Sequence, residues 1–515
     1  MCELSKRLSL ARAKGIPLIR VSTSDQPAAE QTIIQLGDRE NVPVVGWNRA
    51  TGWSGLNQSG QDCCATMLDG ASPLSALDPV EAIPMLQKAQ SAGDDRGGTI
   101  AVFLAGDRVL ADPISAVAIL RLRTYLEASG ITLITLGSTG ISPCSEIGAD
   151  AWPIDDPSPD ADRRAALITT LCADTGAELS PDDMRVAVQY TRGLSAFGTR
   201  QALAPSLKRS GIDRDLLRST WRAAIDSVPG LRVVSEGEGL SGVAGLSELR
   251  AHATSLFTGR TRPDAIVWVD EVEKALAGST GGDLSGASSA ILGTILTELE
   301  DSGAEGAILV GPPGTGKSLM ACAVGAAGSV PTIQLDLGRL KGGLVGQTEA
   351  QAAQAMRVLR ALAGRAYWIA TSNGLASIPT ELRRRFTDGI WMCDLPNRDE
   401  RSAIWELHAS QFELAGDVGL PPTDDRSYSG ADIRNVCRSA WRTMRSVRDV
   451  AASYVPSTLS AREQIETLRR NASGTYRSAS YPGPYRMPEQ EAAPSVATGA
   501  RRVQLDDSKA SKARA

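Results

Sequence analysis

Residues 311–318 read GPPGTGKS, and this short stretch decides the fold of the region around it. Two glycines that flank four residues and precede Lys and Ser form a loop that cradles nucleotide phosphates. The residues before it, AILV, are apolar as in a buried strand, and the following SLMACAVGAAG is rich in alanine as in a helix. A strand, a loop and a helix in this order are the context that the motif requires.

The motif predicts a site for ATP and Mg²⁺. Backbone N–H groups and the start of the helix face the phosphates, Lys317 reaches the β- and γ-phosphate oxygens, and the Ser318 hydroxyl holds Mg²⁺. The residues expected to contact the nucleotide in this loop are Gly311, Pro312, Pro313, Gly314, Thr315, Gly316, Lys317, Ser318 and Leu319.

Hydrolysis also needs an acidic strand end for the metal and a base for the attacking water. Downstream of the loop, the strand AYWIATSN carries no carboxylate pair, and Asp336 in TIQLDLGRL is not followed by glutamate. The apolar run that ends in Asp-Glu is IVWVDE at residues 266–271, upstream of the loop. This run predicts Asp270 as the residue that holds hydrated Mg²⁺ and Glu271 as the group that polarises water. An amphipathic segment with two surface acids is the alternative interpretation.

These segments resemble AAA-type ATPases, and among these the soluble FtsH-related family of plastids and cyanobacteria that is known as a hypothetical chloroplast frame. The resemblance covers about residues 240–445 and implies an α/β fold, in which a P-loop AAA+ core with a parallel sheet is followed by a helical lid. The matching segments are GVAGLSELR, ILVGPPGTGKSLMACAVG, LDLGRLKGGLVGQTEAQ, VWVDEVEKALAG, YWIATSNGLASIPTELRRRF, DLPNRDERSAIWELH and SGADIRNVCRSA.

The resemblance extends to single residues. Asn373 matches sensor 1, which orders the lytic water beside the γ-phosphate. Arg384 and Arg385 match the region that supplies arginine fingers to a neighbouring subunit, and a solvated basic turn is the alternative interpretation. The small-residue turn of sensor 2, where the lid meets the nucleotide, is matched by Ser429, Gly430 and Ala431.

Two features depart from the family pattern. Leu344 stands where many AAA proteins place an aromatic pore residue, and the sequence holds no H-E-x-x-H metalloprotease motif. In addition, IVWVDE precedes the phosphate loop. Placing residues 263–301 ahead of that loop preserves every spatial neighbour in the sheet, and a short junction at Gly364 is what excision of an acidic strand would leave. The sequence therefore predicts a permuted core with a transposed acidic strand and an unchanged site.

The rest of the chain predicts further domains. In residues 1–178, the runs IPLIRVST, VPVVGW, TIAVFLAG and ITLITLG alternate with helical patterns, which predicts a degenerate α/β domain with a parallel sheet and no phosphate loop. We expect a helical subdomain at 179–229, the ATPase core at 230–402 and the lid at 403–455. Residues 456–515 are rich in Ser, Ala, Arg, Pro and Gly, which predicts a disordered tail.

Composition and hydropathy limit the cellular location and the kinds of partner that we expect for the protein. A net charge of −5 argues against a generally basic nucleic-acid binder. No apolar run reaches the roughly 18 residues that span a membrane, and the N-terminus lacks the apolar core of a signal peptide. The eight cysteines show no metal-ligand spacing, which is typical of reduced thiols. We therefore expect a cytoplasmic protein that has no membrane partner.

These observations favour a Mg-ATP-hydrolysing AAA+ ATPase. We expect a homo-oligomeric ring, specifically a hexamer, because arginine fingers act on a neighbouring subunit. The expected role is remodelling of protein or nucleoprotein assemblies, with an unidentified protein substrate or adaptor as partner. Two alternatives stay open: a slowly hydrolysing nucleotide-binding assembly scaffold, and a DNA-dependent motor, for which the basic tail and scattered arginines are the support.

Overall fold

The computed structural model of the protein contains two β-sheets with helices packed on both faces of each. The predicted α/β class with parallel sheets is confirmed. Among the described residues, no helix is both long enough and apolar enough to cross a lipid bilayer. The structure describes residues 3–89, 98–138, 141, 143–156, 158–234, 239–273, 287–301, 303, 305–340, 347–374, 378–414 and 424–488.

The first sheet contains the strands β1 (Leu18–Ser22), β2 (Val44–Asn48), β3 (Gly52–Gly55), β4 (Ile100–Phe103), β5 (Thr132–Gly137) and β6 (Trp152–Asp155). Their order across the sheet is β3-β2-β4-β5-β1-β6. Neighbouring strands run parallel, and the edge pair β2–β3 is antiparallel. The four central strands are near-continuous apolar runs because both faces of the sheet are buried. The two edge strands are short, and the sequence patterns did not indicate them.

Helices cover both faces of this first sheet. One face packs on an apolar cluster that includes Leu8 and Ile33, and the other on a cluster that includes Met67 and Ile119. These helices are α1 (Glu3–Ala13), α2 (Gln26–Glu40), α3 (Gln58–Leu68), α4 (Pro79–Met85), α5 (Gly106–Ala111) and α6 (Pro113–Ala128).

A helical region links the two sheets. Its helices are α7 (Ala161–Thr175), α8 (Pro181–Gln189), α9 (Ala196–Leu203) and α10 (Arg214–Asp226). Trp221 and Ile225 of α10, together with Ile168 of α7, belong to the same apolar cluster as Val267 in the second sheet. This region is therefore packed against the second sheet rather than standing apart from it.

The second sheet contains the strands β7 (Leu231–Val233), β8 (Ala265–Val269), β9 (Glu305–Val310), β10 (Thr332–Leu335), β11 (Ala366–Ser372), β12 (Ile390–Met392) and β13 (Arg477–Ser478). Their order is β13-β12-β9-β11-β8-β10-β7. Strand β8, which carries the IVWVDE segment, lies in the centre and pairs in parallel with both β10 and β11. Strand β7 closes one edge in antiparallel orientation, a position that the sequence patterns did not indicate.

Helices also cover the second sheet and extend beyond it. Around the sheet are α11 (Ser247–Thr258), α12 (Ala287–Asp301), α13 (Lys317–Gly328), α14 (Leu337–Leu340), α15 (Gln347–Ala363) and α16 (Thr380–Arg383). Beyond it, α17 (Arg398–Gln411), α18 (Gly430–Thr443) and α19 (Val447–Ser453) share a separate apolar cluster.

The prediction of disorder over residues 456–515 is wrong for residues 456–488. Helix α20 (Arg462–Ala472) and strand β13 return the chain to the edge of the second sheet. Asp394 holds this return segment, because its carboxylate accepts hydrogen bonds from Arg469 Nε at 2.9 Å and from the Tyr485 hydroxyl at 2.6 Å. Tyr485 is also buried against Met392 and Ala472, a long-range contact that composition does not reveal. Residues 489–515 lie outside the described part of the chain.

Candidate nucleotide site

The loop at residues 311–318 joins the end of β9 to the start of α13, as the motif requires. Close packing explains two of its glycines. A Cβ atom at Gly311 would lie 1.9 Å from the carbonyl oxygen of Cys393, and Gly314 has a φ of +81°, which disfavours other residues. The loop backbone therefore packs directly against the segment that contains Cys393, and the outer side of the loop is left open.

Lys317 is buried beneath this loop. Its Nζ donates to the carbonyl oxygens of Gly311 at 2.7 Å and Pro312 at 2.8 Å, and to Asn373 Oδ1 at 3.1 Å. Burial lowers the pKa of Lys317, and the nearby carboxylates of Glu273 and Asp270 oppose that shift. The ammonium group is thus held by neutral acceptors and is available to anionic phosphate oxygens.

Asp270 lies beside the phosphate loop although it precedes the loop in the chain. Its Oδ1 accepts a hydrogen bond from Ser318 Oγ at 3.1 Å and from Thr371 Oγ1 at 2.6 Å. This meeting follows from strand pairing, because β8 and β11 run parallel in register and their carboxyl ends open at the same edge.

Glu271 follows Asp270 in a left-handed backbone conformation, with a φ of +45°. Its backbone N–H donates to Thr371 Oγ1 at 3.2 Å, which fixes the turn at the end of β8. A non-glycine residue with positive φ is costly, and such residues cluster at functional sites. The half-buried Glu271 belongs to the lining of the same cavity as Lys317.

Asn373 stands at the end of β11, between the lysine and a third carboxylate. Besides accepting from Lys317, it donates from both its backbone N–H and its Nδ2 to Glu273 Oε1, each at 3.1 Å. Glu273 Oε2 is buried and has no hydrogen-bond partner among the described residues. The predicted sensor is therefore held from two sides.

The lid reaches the phosphate loop through the predicted sensor 2 turn. The backbone N–H of Ala431 donates to the carbonyl oxygen of Gly314 at 3.1 Å, and Ser429 caps helix α18. Between lid and loop lies a cavity of about 540 Å³, a volume within the range of ligand sites. Its lining includes Gly430 and Ala431, as well as Arg434.

The two predicted arginine fingers do not line this cavity. Arg384 and Arg385 follow the short helix α16 and are exposed. Arg385 forms an ion pair with Glu300 of helix α12 in the same chain. Leu344, the predicted pore residue, lies outside the described residues.

Three residues of the site were missed by sequence reasoning: Glu273, Thr371 and Arg434. Thr371 precedes Asn373 by two positions on one strand, so the strand period of two places both on one side. Glu273 is the third acid of the DEVE segment, and its position two residues after Glu271 did not predict its contact with Asn373. The lining position of Arg434 depends on how the lid packs, which the sequence does not reveal.

The residues present fit a hydrated Mg²⁺ ion. A serine hydroxyl and a carboxylate, from Ser318 and Asp270, are the oxygen ligands that Mg²⁺ uses together with water and substrate phosphates. Among the described residues, no group of three His, Cys, Asp or Glu side chains is arranged to hold a metal by itself. A metal bound here would therefore depend on the nucleotide as well.

Comparison with known proteins agrees with this geometry. Residues 307–364, which include the phosphate loop, match the model of the ATPase family associated with various cellular activities (AAA). This part of the chain is an AAA domain. An AAA domain implies ATP binding.

Relatives of the AAA domain include proteins named uncharacterized AAA domain-containing protein ycf46. The one from Pyropia yezoensis is 28% identical over 219 residues, which cover 32% of this chain and 44% of that protein. The one from Trieres chinensis is 30% identical over 175 residues, which cover 25% and 35%. An ATP-dependent zinc metalloprotease FtsH from Marinobacter nauticus is 27% identical over 187 residues, which cover 27% and 29%.

The chain thus spans less than half the length of these relatives, and the likeness concerns the AAA domain rather than the whole protein. The predicted relation to the FtsH-related chloroplast-frame family is confirmed for the AAA domain.

Proposed function

We propose that this protein is a Mg-ATP-hydrolysing AAA+ ATPase that assembles into a hexameric ring and remodels protein or nucleoprotein assemblies in the cytoplasm. The observation that carries the proposal is the meeting of Lys317, Ser318, Asp270 and Asn373 at one cavity, with separations of 3.1 Å between partner atoms. This set contains the cation, hydroxyl, carboxylate and amide that phosphoryl transfer from ATP to water requires.

In the proposed reaction, each residue has a separate task. Lys317 exchanges its carbonyl partners for β- and γ-phosphate oxygens and neutralises their charge. Ser318 and Asp270 would hold Mg²⁺, which would supply positive charge to the phosphates. The Glu271 carboxylate accepts a proton from the attacking water, and Asn373 orients that water. Closure of the lid over the cavity excludes bulk water.

We also propose that the acidic strand β8 was transposed within the chain. The first sheet of the same molecule supports this idea, because its order from one edge is β3-β2-β4-β5-β1-β6 and that of the second is β7-β10-β8-β11-β9-β12, followed by β13 at the far edge. Both begin with an antiparallel edge strand. In this alignment β8 corresponds to β4. In the chain β4 follows β2, the counterpart of β10, whereas β8 precedes both β9 and β10. Moving β8 between β10 and β11 would give the strands β9, β10, β8, β11 and β12 the chain order of their counterparts β1, β2, β4, β5 and β6, whereas the edge strand β7 would still precede them.

The ends of the segment support the same proposal. At its beginning, the backbone N–H of Asp264 donates to the carbonyl oxygen of Arg365 at 2.8 Å. At its end, Asp301 forms an ion pair with Arg360 at 3.4 Å, four residues before Gly364. Both ends of residues 263–301 thus lie close to the junction at Gly364, where a chain without the transposition would contain them.

The first sheet is proposed to bind no nucleotide. After its strand β1, the carboxylate of Asp25 accepts from the N–H groups of Ala28 at 3.1 Å and Phe197 at 3.0 Å. It occupies the start of helix α2, where a phosphate would sit in a nucleotide domain. This domain is therefore proposed to recognise a substrate or adaptor, or to pack within the ring.

Steady-state ATP turnover tests the proposed function. We expect the ATP turnover per subunit to rise with protein concentration, as ring assembly requires. We also expect an unfolded protein to stimulate this turnover. Stimulation by DNA alone would support the DNA-dependent motor instead. Tight ATP binding with turnover that is slow under all conditions would support the assembly scaffold.

A further inference from the structure

The side-chain amide of Asn373 is held in one orientation by groups of opposite charge. Its Oδ1 faces the ammonium of Lys317 at 3.1 Å, and its Nδ2 faces Glu273 Oε1 at 3.1 Å. The same carboxylate oxygen also accepts from the backbone N–H of Asn373. An amide rotated by half a turn would point its NH₂ group at the lysine and its oxygen at the carboxylate, and both contacts would become repulsive.

We propose that Glu273 is a positioning residue for ATP hydrolysis, which acts by fixing the orientation of Asn373. The inference rests on the proposed function of this site. When the β- and γ-phosphates draw Lys317 away from Asn373 Oδ1, Glu273 is the contact that keeps the amide from rotating. The second N–H of Nδ2 then stays directed toward the space where water and γ-phosphate meet.

The geometry separates Glu273 from the role given to Glu271. Glu273 Oε1 is already engaged by two N–H donors, and Oε2 is buried away from solvent. Glu273 is absent from the lining of the nucleotide cavity, whereas Glu271 is part of it. A carboxylate in this position orients its neighbour and does not reach the attacking water.

A purely structural role for Glu273 is the competing explanation, since its contacts also tie the first turn after β8 to the end of β11. If Glu273 only stabilised the fold, every substitution of Glu273 would lower the stability of the protein, and its effect on turnover would not depend on Asn373. The two explanations therefore differ in how the effects of substitutions at the two residues combine.

Two substitutions at Glu273 separate the hydrogen bond from the charge. Glu273→Ala removes the acceptor and frees the amide. Glu273→Gln keeps an acceptor oxygen for both N–H groups of Asn373, and its NH₂ group takes the place of Oε2, which accepts no bond from a described residue. A residue that positions through Oε1 tolerates the second change, and a residue that takes up a proton does not.

The experiment is a double-mutant cycle on the full-length protein, with Glu273→Ala, Asn373→Ala and the double variant. The turnover number kcat is measured at saturating ATP, and the affinities for ADP and for the slowly hydrolysed analogue ATPγS are measured by calorimetry. We expect Glu273→Ala to lower kcat about 10–100-fold, by analogy with the range found when residues that orient metal ligands are lost. ADP affinity should stay within about 2-fold, because ADP has no γ-phosphate.

In the Asn373→Ala background, Glu273→Ala should add no further loss, and Glu273→Gln in the original background should recover most of the activity. Full additivity of the two alanine effects, or a Glu273→Gln variant as inactive as Glu273→Ala, would overturn the inference.

The nucleotide affinities keep the inference testable if the unmutated protein shows no turnover, a result that contradicts the proposed function by itself. Glu273→Ala should then still lower the preference for ATPγS over ADP, and it should do so only when Asn373 is present. An unchanged preference would overturn the inference independently of hydrolysis.

Discussion

The Asp270 carboxylate and the Ser318 hydroxyl lie 3.1 Å apart although 48 positions separate them in the chain, with the acid first. The contact exists because β8 occupies the centre of the second sheet, so that its end opens beside the start of α13. Chain order therefore does not determine which residues meet at the phosphate loop.

Replacement of the buried lysine should strongly weaken nucleotide binding. Lys317→Ala deletes the cation beneath the loop, and hydrogen bonds to charged groups contribute about 1.5–3 kcal/mol each. We expect ATP affinity to fall on the order of 10²-fold, as measured by calorimetry. Lys208→Ala, a change at an exposed lysine outside the cavity, is the matched control. Equal ATP affinity in the Lys317→Ala variant and the unmutated protein would exclude the loop as the binding site.

The pH dependence of binding should report the same lysine. Burial lowers the pKa of Lys317 below its usual 10.5, so the free protein loses this proton at a lower pH than an exposed lysine does. Phosphate oxygens favour the charged form and raise the pKa again. ATP binding should therefore take up protons at pH values between the lowered pKa of the free protein and the higher pKa of the complex, and affinity should fall as pH rises through the lowered pKa. Calorimetry in two buffers of different ionisation enthalpy measures the uptake, and AMP, which lacks the distal phosphates, is the control.

Hydrolysis should depend on an arginine from a neighbouring subunit. Arg385 is exposed and pairs with Glu300 of its own chain, so the proposed ring assembly would have to release it from this partner. Arg385→Ala should keep ATP affinity but lower turnover by about 10³–10⁵-fold, as loss of arginine fingers does in related reactions. Mixing this variant with Glu271→Gln should restore part of the activity, because some interfaces then pair an intact arginine with an intact site. A monomer with full turnover contradicts this account.

Much of the site could be predicted because its residues carry chemistry in short motifs. GPPGTGKS, IVWVDE and IATSN each end or follow an apolar strand, and the carboxyl ends of parallel strands open at one edge. The contacts of Glu273 and Arg434 depend on the turn after β8 and on lid packing, which local patterns do not encode. The ordered return of residues 456–488 was missed for the same reason, since Asp394 lies far away in sequence.

The proposed transposition predicts that the chain tolerates rearrangement. Residues 263–301 moved to the junction between Gly364 and Arg365 should, with adjusted loops, fold and hydrolyse ATP, because both ends of the segment lie near that junction. A chain of residues 302–515 should not fold, since loss of β8 leaves β10 and β11 without their shared neighbour. Circular dichroism and thermal melting measure both outcomes. Cooperative melting of the shortened chain would mean that β8 is dispensable to the sheet.

Turnover by Glu271→Gln is the most direct test of the claim that the acidic strand upstream serves the phosphate loop. The amide keeps the size of the side chain but cannot accept the proton of water, while Asp270 is left unchanged. We expect ATP to bind with unchanged affinity and turnover to fall about 10²–10⁴-fold. Asp336→Asn, at the acid that follows the neighbouring strand β10, is the control and should hydrolyse ATP normally. A Glu271→Gln turnover equal to that of the unmutated protein would contradict the account, because the carboxylate of Glu271 would then take no part in hydrolysis.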